Sequence, residues 1–258
     1  MVRALPATRG SRIAARVLVT SPRLLAFDFE TATRSRASAC ALGVAEFAET
    51  GVGTTRYWPI RPRSRSFDRR HVAIHGIDAD QVRYAGNFSD VWDEVEPWLG
   101  GRILFAHNAS FDIGVLTSAA AHYGIELPPL RYVDTLPLFR KVVGRSCSLK
   151  AVADRYGVAF RHHSAEEDAR ALASCVVGLA RERRCVTILE LLDVLEVEIV
   201  SLGGADGDPS LARPAATRPT SLPDALSRLT RQLREGRLTP EGFAARKRRL
   251  LQEWRERG

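Results

Sequence analysis

The chain has 258 residues, 45% of them hydrophobic, which suffices for one packed domain plus an appendage. No apolar run approaches the ~20 residues a membrane span needs. The Arg-rich start (Arg3, Arg9, Arg12, Arg16) lacks the apolar stretch and cleavage pattern of a secretory signal. The formal net charge is +8. Residues 209–258 hold 12 Lys+Arg and 5 Asp+Glu, hence +7, while the remaining residues hold 26 and 25, hence +1. A near-neutral body is therefore followed by a basic tail, which favours polyanions such as nucleic acid and equally fits a solvated helix face. The four cysteines, Cys40, Cys147, Cys175 and Cys185, form no C-x-x-C pair and read as core residues of a reducing, cytoplasmic protein.

Residues 1–20 read as a flexible arm. Leu24 to Thr31 (LLAFDFET) predicts a buried strand with Asp28 and Glu30 on one face and Phe27 and Phe29 on the other. Two adjacent carboxylates in an apolar run need partners, and hard oxygen ligands suit Mg²⁺ or Mn²⁺. The competing reading is an edge strand with two solvated acids. Ala41–Glu49 and Thr54–Ile60, parted by Gly51 and Gly53, predict two more strands in antiparallel hairpins. Arg61–Arg70 has no periodicity and reads as an arginine-rich loop, free to touch phosphates or to be merely solvated. Val72–Ile77 is an apolar lead-in broken by Gly76. Phe88, Val91, Trp92, Val95 and Trp98 predict a helix over Phe88–Leu99.

Arg102–Ala106 predicts a fourth strand running into His107-Asn108-Ala109-Ser110-Phe111-Asp112. Ser110 reads as the N-cap of a helix to about Tyr123, with Asp112 on its first turn. Tyr132–Leu136 predicts a fifth strand, followed by short helices that include Leu149–Tyr156. Ser164 and Glu167 have capping-box spacing, so a long helix is expected from near Ala165 to about Arg184. His163 then lies in the loop before it and Asp168 one turn inside. Alone, Asp168 would do no more than suit the positive end of a helix. Residues 201–220 read as a linker. Leu222, Leu226, Leu229 and Leu233, then Phe243, Leu250 and Trp254 after Thr239-Pro240, predict a small helical hairpin. The order of elements implies an α/β fold with a mixed five-stranded sheet flanked by helices. The expected division is an arm at 1–20, a body at 21–200, a linker at 201–220 and a hairpin at 221–258.

Three motifs in order, DFETA with Asp28 and Glu30, HNASFD with Asp112, and HHSAEEDA with His163 and Asp168, resemble the DnaQ-type 3′–5′ exonucleases. These form the histidine-containing branch of the DEDD superfamily, with a ribonuclease H-like fold. HGI at His75–Ile77 and VDT at Val133–Thr135 also resemble the polymerase-associated group. The resemblance spans roughly residues 20–185. It implies phosphodiester hydrolysis from the 3′ end of DNA, releasing nucleoside 5′-monophosphates. Two Mg²⁺ or Mn²⁺ ions would be held by Asp28, Glu30, Asp112 and Asp168, with His163 as general base. It further implies a 3′-nucleotide site at Thr31, His75, Asn108 and Phe111, a nucleic-acid partner, and a possible polymerase or other protein partner; no membrane partner is expected. An RNA 3′–5′ exonuclease and a non-catalytic nucleic-acid-binding module are the alternatives. The stretch LREGRLTPEGFAARKRRLL resembles the SHOCT helical hairpin. His107 reads as loop support, and His71 and His162 have no assigned role.

Overall fold

Strand β1 (Leu24–Thr31) alternates as expected, and its two faces bury against different helices. Leu25, Phe27 and Phe29 join the core under α2 (Phe88–Leu99) and α3 (Ala109–His122). Leu24 and Ala26 join the core under α6 (Ala165–Glu182), so Asp28 and Glu30 continue the row that faces α6. This computed structural model describes residues 23–144, 147–203 and 240–255, together with helical positions 222, 223, 226, 230 and 233.

The sheet has six strands, β3 (Gly51–Pro59), β2 (Ala39–Ala48), β1, β4 (Ile103–Ala106), β5 (Leu130–Asp134) and β6 (Val200–Leu202), in that spatial order. β1 pairs antiparallel with β2 and parallel with β4, and β5 pairs parallel with β4. The mixed α/β architecture holds, but the five-strand expectation falls one short. β6 is a three-residue edge strand antiparallel to β5, too short and too exposed to show alternation. Two of its residues lie in the stretch read as linker.

Two boundaries also move. β5 ends at Asp134 because that side chain accepts the Leu136 N–H and caps α4 (Thr135–Val143). α3 starts at Ala109, with Asn108 as its N-cap in left-handed backbone (φ 66°), so Ser110 lies inside the first turn. The remaining helices are α1 (Arg69–His75), α5 (Leu149–Arg155), α7 (Ile188–Val194) and α8 (Pro240–Arg255). α8 begins at Pro240 as expected, with Phe243, Leu250 and Trp254 half-buried. The arm at 1–20, most of the linker and Leu229 lie outside the described residues. Among the described residues no helix is long and apolar enough to cross a membrane.

Candidate active site

Carboxylate oxygens of Asp28, Glu30 and Asp168 lie within 4.8 Å of one another. Strand alternation puts the first two on the α6 face, and the first turn of α6 brings the third. That approach depends on Gly43, which pairs with Asp28 across the β1–β2 ladder. A Cβ on Gly43 would lie 2.1 Å from the carbonyl carbon of Ala165 and 2.2 Å from the Glu166 nitrogen. A strand glycine here lets the helix N-terminus rest directly on the sheet.

Asp112 enters from the opposite side. The β1–β4 pairing ends at Ala26 with Phe105. Beyond it, the Phe29 N–H donates to Asp112 Oδ1 at 2.9 Å. The buried acid thus replaces a strand partner and ties the second motif to the first. It lies outside the three-oxygen cluster, yet after burial its charge is the largest influence on Asp28.

The four acids destabilise one another's ionised forms. Burial, then the Asp112, Asp168 and Glu30 charges, hold Asp28 well above the usual carboxylate range. Burial and the charges of Asp168 and Asp112 push Glu30 up to about 8. Burial pushes Asp112 up to about 7 against the pull of the Phe29 N–H. Asp168 is also raised by burial, with His162 and the Ser164 N–H opposing. Among the described residues no lysine or arginine forms an ion pair with any of the four. An all-oxygen, multiply anionic donor set without a protein counter-charge fits a hard divalent cation.

The histidines divide the rim between them. His162 Nδ1 lies 2.7 Å from Asp168 Oδ1, and the Ser164 N–H donates to Asp168 Oδ2 at 2.8 Å. The expected Ser164–Glu167 capping box is therefore not formed. Asp168 takes the Ser164 N–H, and Glu167 accepts from the Arg161 N–H instead. His163 is exposed, has left-handed backbone (φ 65°) and stacks on the His162 ring at 3.9 Å. The direct imidazole contact to the acids is thus that of His162. Burial and the neighbouring His162 lower the pKa of His163.

Thr31 is buried, and its carbonyl accepts from His71 Nδ1 at 3.0 Å and His75 Nε2 at 3.1 Å. His75 Nδ1 in turn accepts the Ile77 N–H, so its ring is the neutral Nε2–H tautomer with both nitrogens engaged. Burial lowers its pKa accordingly. Asn108 is exposed and donates its N–H to Asp134 Oδ1, while Phe111 is half-buried against the core under α2 and α3. His107 bonds Thr135 and the Cys147 carbonyl, which is loop support. Sequence reasoning missed His162 and Gly43. Their signals were a doubled histidine before the third motif and a glycine inside an apolar strand.

Residues 25–176 match the exonuclease family model RNase_T. The chain belongs to this exonuclease family. It is 31% identical over 140 residues to the PolC-type DNA polymerase III of Thermotoga petrophila, covering 52% of this chain and 10% of that one. It is 29% identical over 108 residues to the 3′–5′ exonuclease DinG of Staphylococcus epidermidis, covering 41% and 12%. The chain thus spans about a tenth of the length of these curated relatives. Among solved exonucleases, Exonuclease X in complex with 5′-overhanging duplex DNA aligns at TM-score 0.54 and 20% identity, over 67% of this chain and 99% of that one. The nuclease domain of 3′hExo, a DEDDh family member bound to rAMP, aligns at 0.55 and 18%, over 69% and 96%. These two likenesses show the shared fold alone.

Proposed function

We propose that this protein is a divalent-metal-dependent 3′–5′ exonuclease that trims DNA. The observation that carries this reading is the meeting of Asp28, Glu30 and Asp168 oxygens within 4.8 Å, beside buried Asp112. Asp28, Glu30, Asp112 and Asp168 would hold two Mg²⁺ or Mn²⁺ ions. Such ions supply Lewis-acid polarisation of the scissile phosphate and a lowered pKa for the attacking water. His163, neutral near pH 7, accepts the water's proton on a ring nitrogen. As the water oxygen bonds to phosphorus, the bond from phosphorus to the 3′ oxygen of the penultimate nucleotide breaks; that oxygen takes a proton from solvent, and the terminal nucleotide leaves with its phosphate on the 5′ oxygen.

Thr31, His75, Asn108 and Phe111 line the site for the terminal nucleotide. His75, with both ring nitrogens spent on Thr31 and Ile77, offers its ring surface rather than a hydrogen bond. Stacking of this kind tolerates any base. The sequence relatives include DNA polymerase III chains and DinG exonucleases, which favours DNA over RNA and leaves a polymerase partner as a proposal. The basic tail is a separate SHOCT-like hairpin in this reading, joined through the part of the expected linker that follows β6.

The test is release of 5′-mononucleotides from 3′-labelled DNA and RNA strands with Mg²⁺ or Mn²⁺, beside an Asp28→Ala control. Faster loss of label from DNA than RNA, abolished by Asp28→Ala, is expected. Equal wild-type and Asp28→Ala rates would sink the nuclease, and preference for RNA would move the substrate to the other reading.

A further inference from the structure

A second feature, away from the acids, joins three arginines and an exposed aromatic ring. The segment between β3 and α2 folds back on itself, with the Arg61 N–H donating to the Gly86 carbonyl at 2.9 Å. Within it, Arg61, Arg65 and Arg83 line one cavity of about 50 Å³, floored by Phe67, Ala79 and Val82. Arg65 is held there by a turn, with its N–H on the Pro62 carbonyl and its backbone left-handed at φ 50°. A non-glycine residue at positive φ costs energy that its surroundings must offset. The guanidinium of Arg83 stacks on the Tyr84 ring at 4.6 Å, and Tyr84 is 86% exposed.

The charge here is poorly matched within the protein. Arg61, Arg63, Arg65, Arg69 and Arg70 form no side-chain hydrogen bond or ion pair among the described residues. Among the described residues the ion pair of Arg83 is with Asp80, at 3.7 Å and solvated on both sides. Like charges carried by neighbouring residues repel unless an anion lies between them. A guanidinium cluster beside a stacking aromatic is the chemistry that holds a nucleic-acid strand by phosphate and base face.

The segment is also tied to the catalytic rim. The Asp68 N–H donates to the Ala32 carbonyl at 2.8 Å, and α1 beyond it brings His71 and His75 onto the Thr31 carbonyl. Thr31 adjoins Glu30. A strand whose 3′ end reaches the acids therefore has a rigidly placed cationic surface beside its path.

We propose that Arg61, Arg65, Arg83 and Tyr84 form a second subsite that binds internal phosphates and a base of the substrate strand, upstream of the scissile bond. This rests on the exonuclease reading for its substrate class. The subsite adds nothing to a single nucleotide and much to a long strand.

The experiment pairs two probes. A fluorescein-labelled single-stranded DNA of about 20 nucleotides is titrated in EDTA across a salt series, where three lost phosphate contacts lower the log–log salt slope by about 2. The p-nitrophenyl ester of thymidine 5′-monophosphate, too small to reach the subsite, is hydrolysed with Mn²⁺. The variant R61Q/R65Q/R83Q is expected to bind the strand on the order of 10–100-fold more weakly near 0.1 M salt, with the flatter slope. It should hydrolyse the ester within about twofold of wild type, and R61K/R65K/R83K should recover most of the slope. Tyr84→Ala should weaken strand binding about tenfold with the slope unchanged. Wild-type affinity and slope in the Gln variant overturn the subsite. So do equal losses on strand and ester, because the arginines would then act on the terminal nucleotide and not on the strand upstream of it. A wild-type protein inert to the ester whose strand binding still needs the arginines overturns the nuclease reading and keeps the subsite.

Discussion

Gly43 faces Asp28 across the β1–β2 ladder, and the backbone of Ala165 occupies the space where any other residue at 43 would carry its Cβ. The position of Asp168, three residues further along α6, follows from that contact. Gly43→Ala should push the helix N-terminus off the sheet, at a cost on the order of 1–3 kcal/mol in thermal or chemical unfolding. Nucleotide release should fall about 100-fold, since displacements near 1 Å cost that much in a positioned site. Calorimetric Mn²⁺ titration should show weakened binding in parallel. An alanine variant with wild-type rate and Mn²⁺ affinity would mean that the helix is not seated through this glycine.

The raised carboxylates set a direction for the effect of pH. Glu30 is pushed up to about 8 and Asp112 to about 7, whereas both titrate near 4 in an unfolded chain. Between roughly pH 4.5 and pH 8 the folded state therefore holds more protons than the unfolded one, and stability falls as pH rises. In EDTA, Tm should drop by about 4 °C or more from about pH 5.5 to 8.5. Mn²⁺ should raise Tm most at the alkaline end, because it replaces the protons there. Glu30→Gln should flatten the EDTA profile. A Tm that rises with pH in EDTA would contradict the electrostatic account.

Much of this was legible because the signals were long or repeated. Phe88–Leu99 shows its helical period over three turns, and the second half of β1 alternates so that Asp28 and Glu30 share a face. What escaped was short or depended on a distant partner. β6 has three residues and an exposed edge. α7 is a single short helix, although Thr187 capping the Glu190 N–H left a readable start. Asp134 turns Thr135 from strand into helix through one side-chain bond. The sequence hints at a close approach at Gly43 but cannot name α6 as its partner. Two adjacent histidines likewise give no indication of which ring turns inward.

Asp112 serves two purposes that substitution can separate. Its Oδ1 accepts the Phe29 N–H, and its charge belongs to the acid cluster. Asp112→Asn keeps an acceptor and removes the charge, so Tm in EDTA should equal or exceed that of wild type. Nucleotide release should nonetheless fall about 100-fold or more. Asp112→Ala should lose the same activity and also about 1–3 kcal/mol of stability, because the buried Phe29 N–H is left without a partner. Similar stability of the Ala and Asn variants would show that the N–H finds another acceptor.

His162 and His163 stack on each other, yet only His162 touches Asp168. If His162 positions the acid and His163 moves the proton, their alanine variants should fail differently. His163→Ala should lower the maximal rate by about 10²–10⁴-fold with Mn²⁺ affinity unchanged. In wild type the rate should fall as pH drops through the depressed pKa of His163, because protonation removes the base. His162→Ala frees Asp168 Oδ1 and should shift the Mn²⁺ dependence of the rate, with a loss of less than about tenfold at saturating ion. Rates measured against Mn²⁺ concentration for both variants decide the assignment. If the large loss at saturating ion follows His162 instead, the inward imidazole is the base and the outward one supports it.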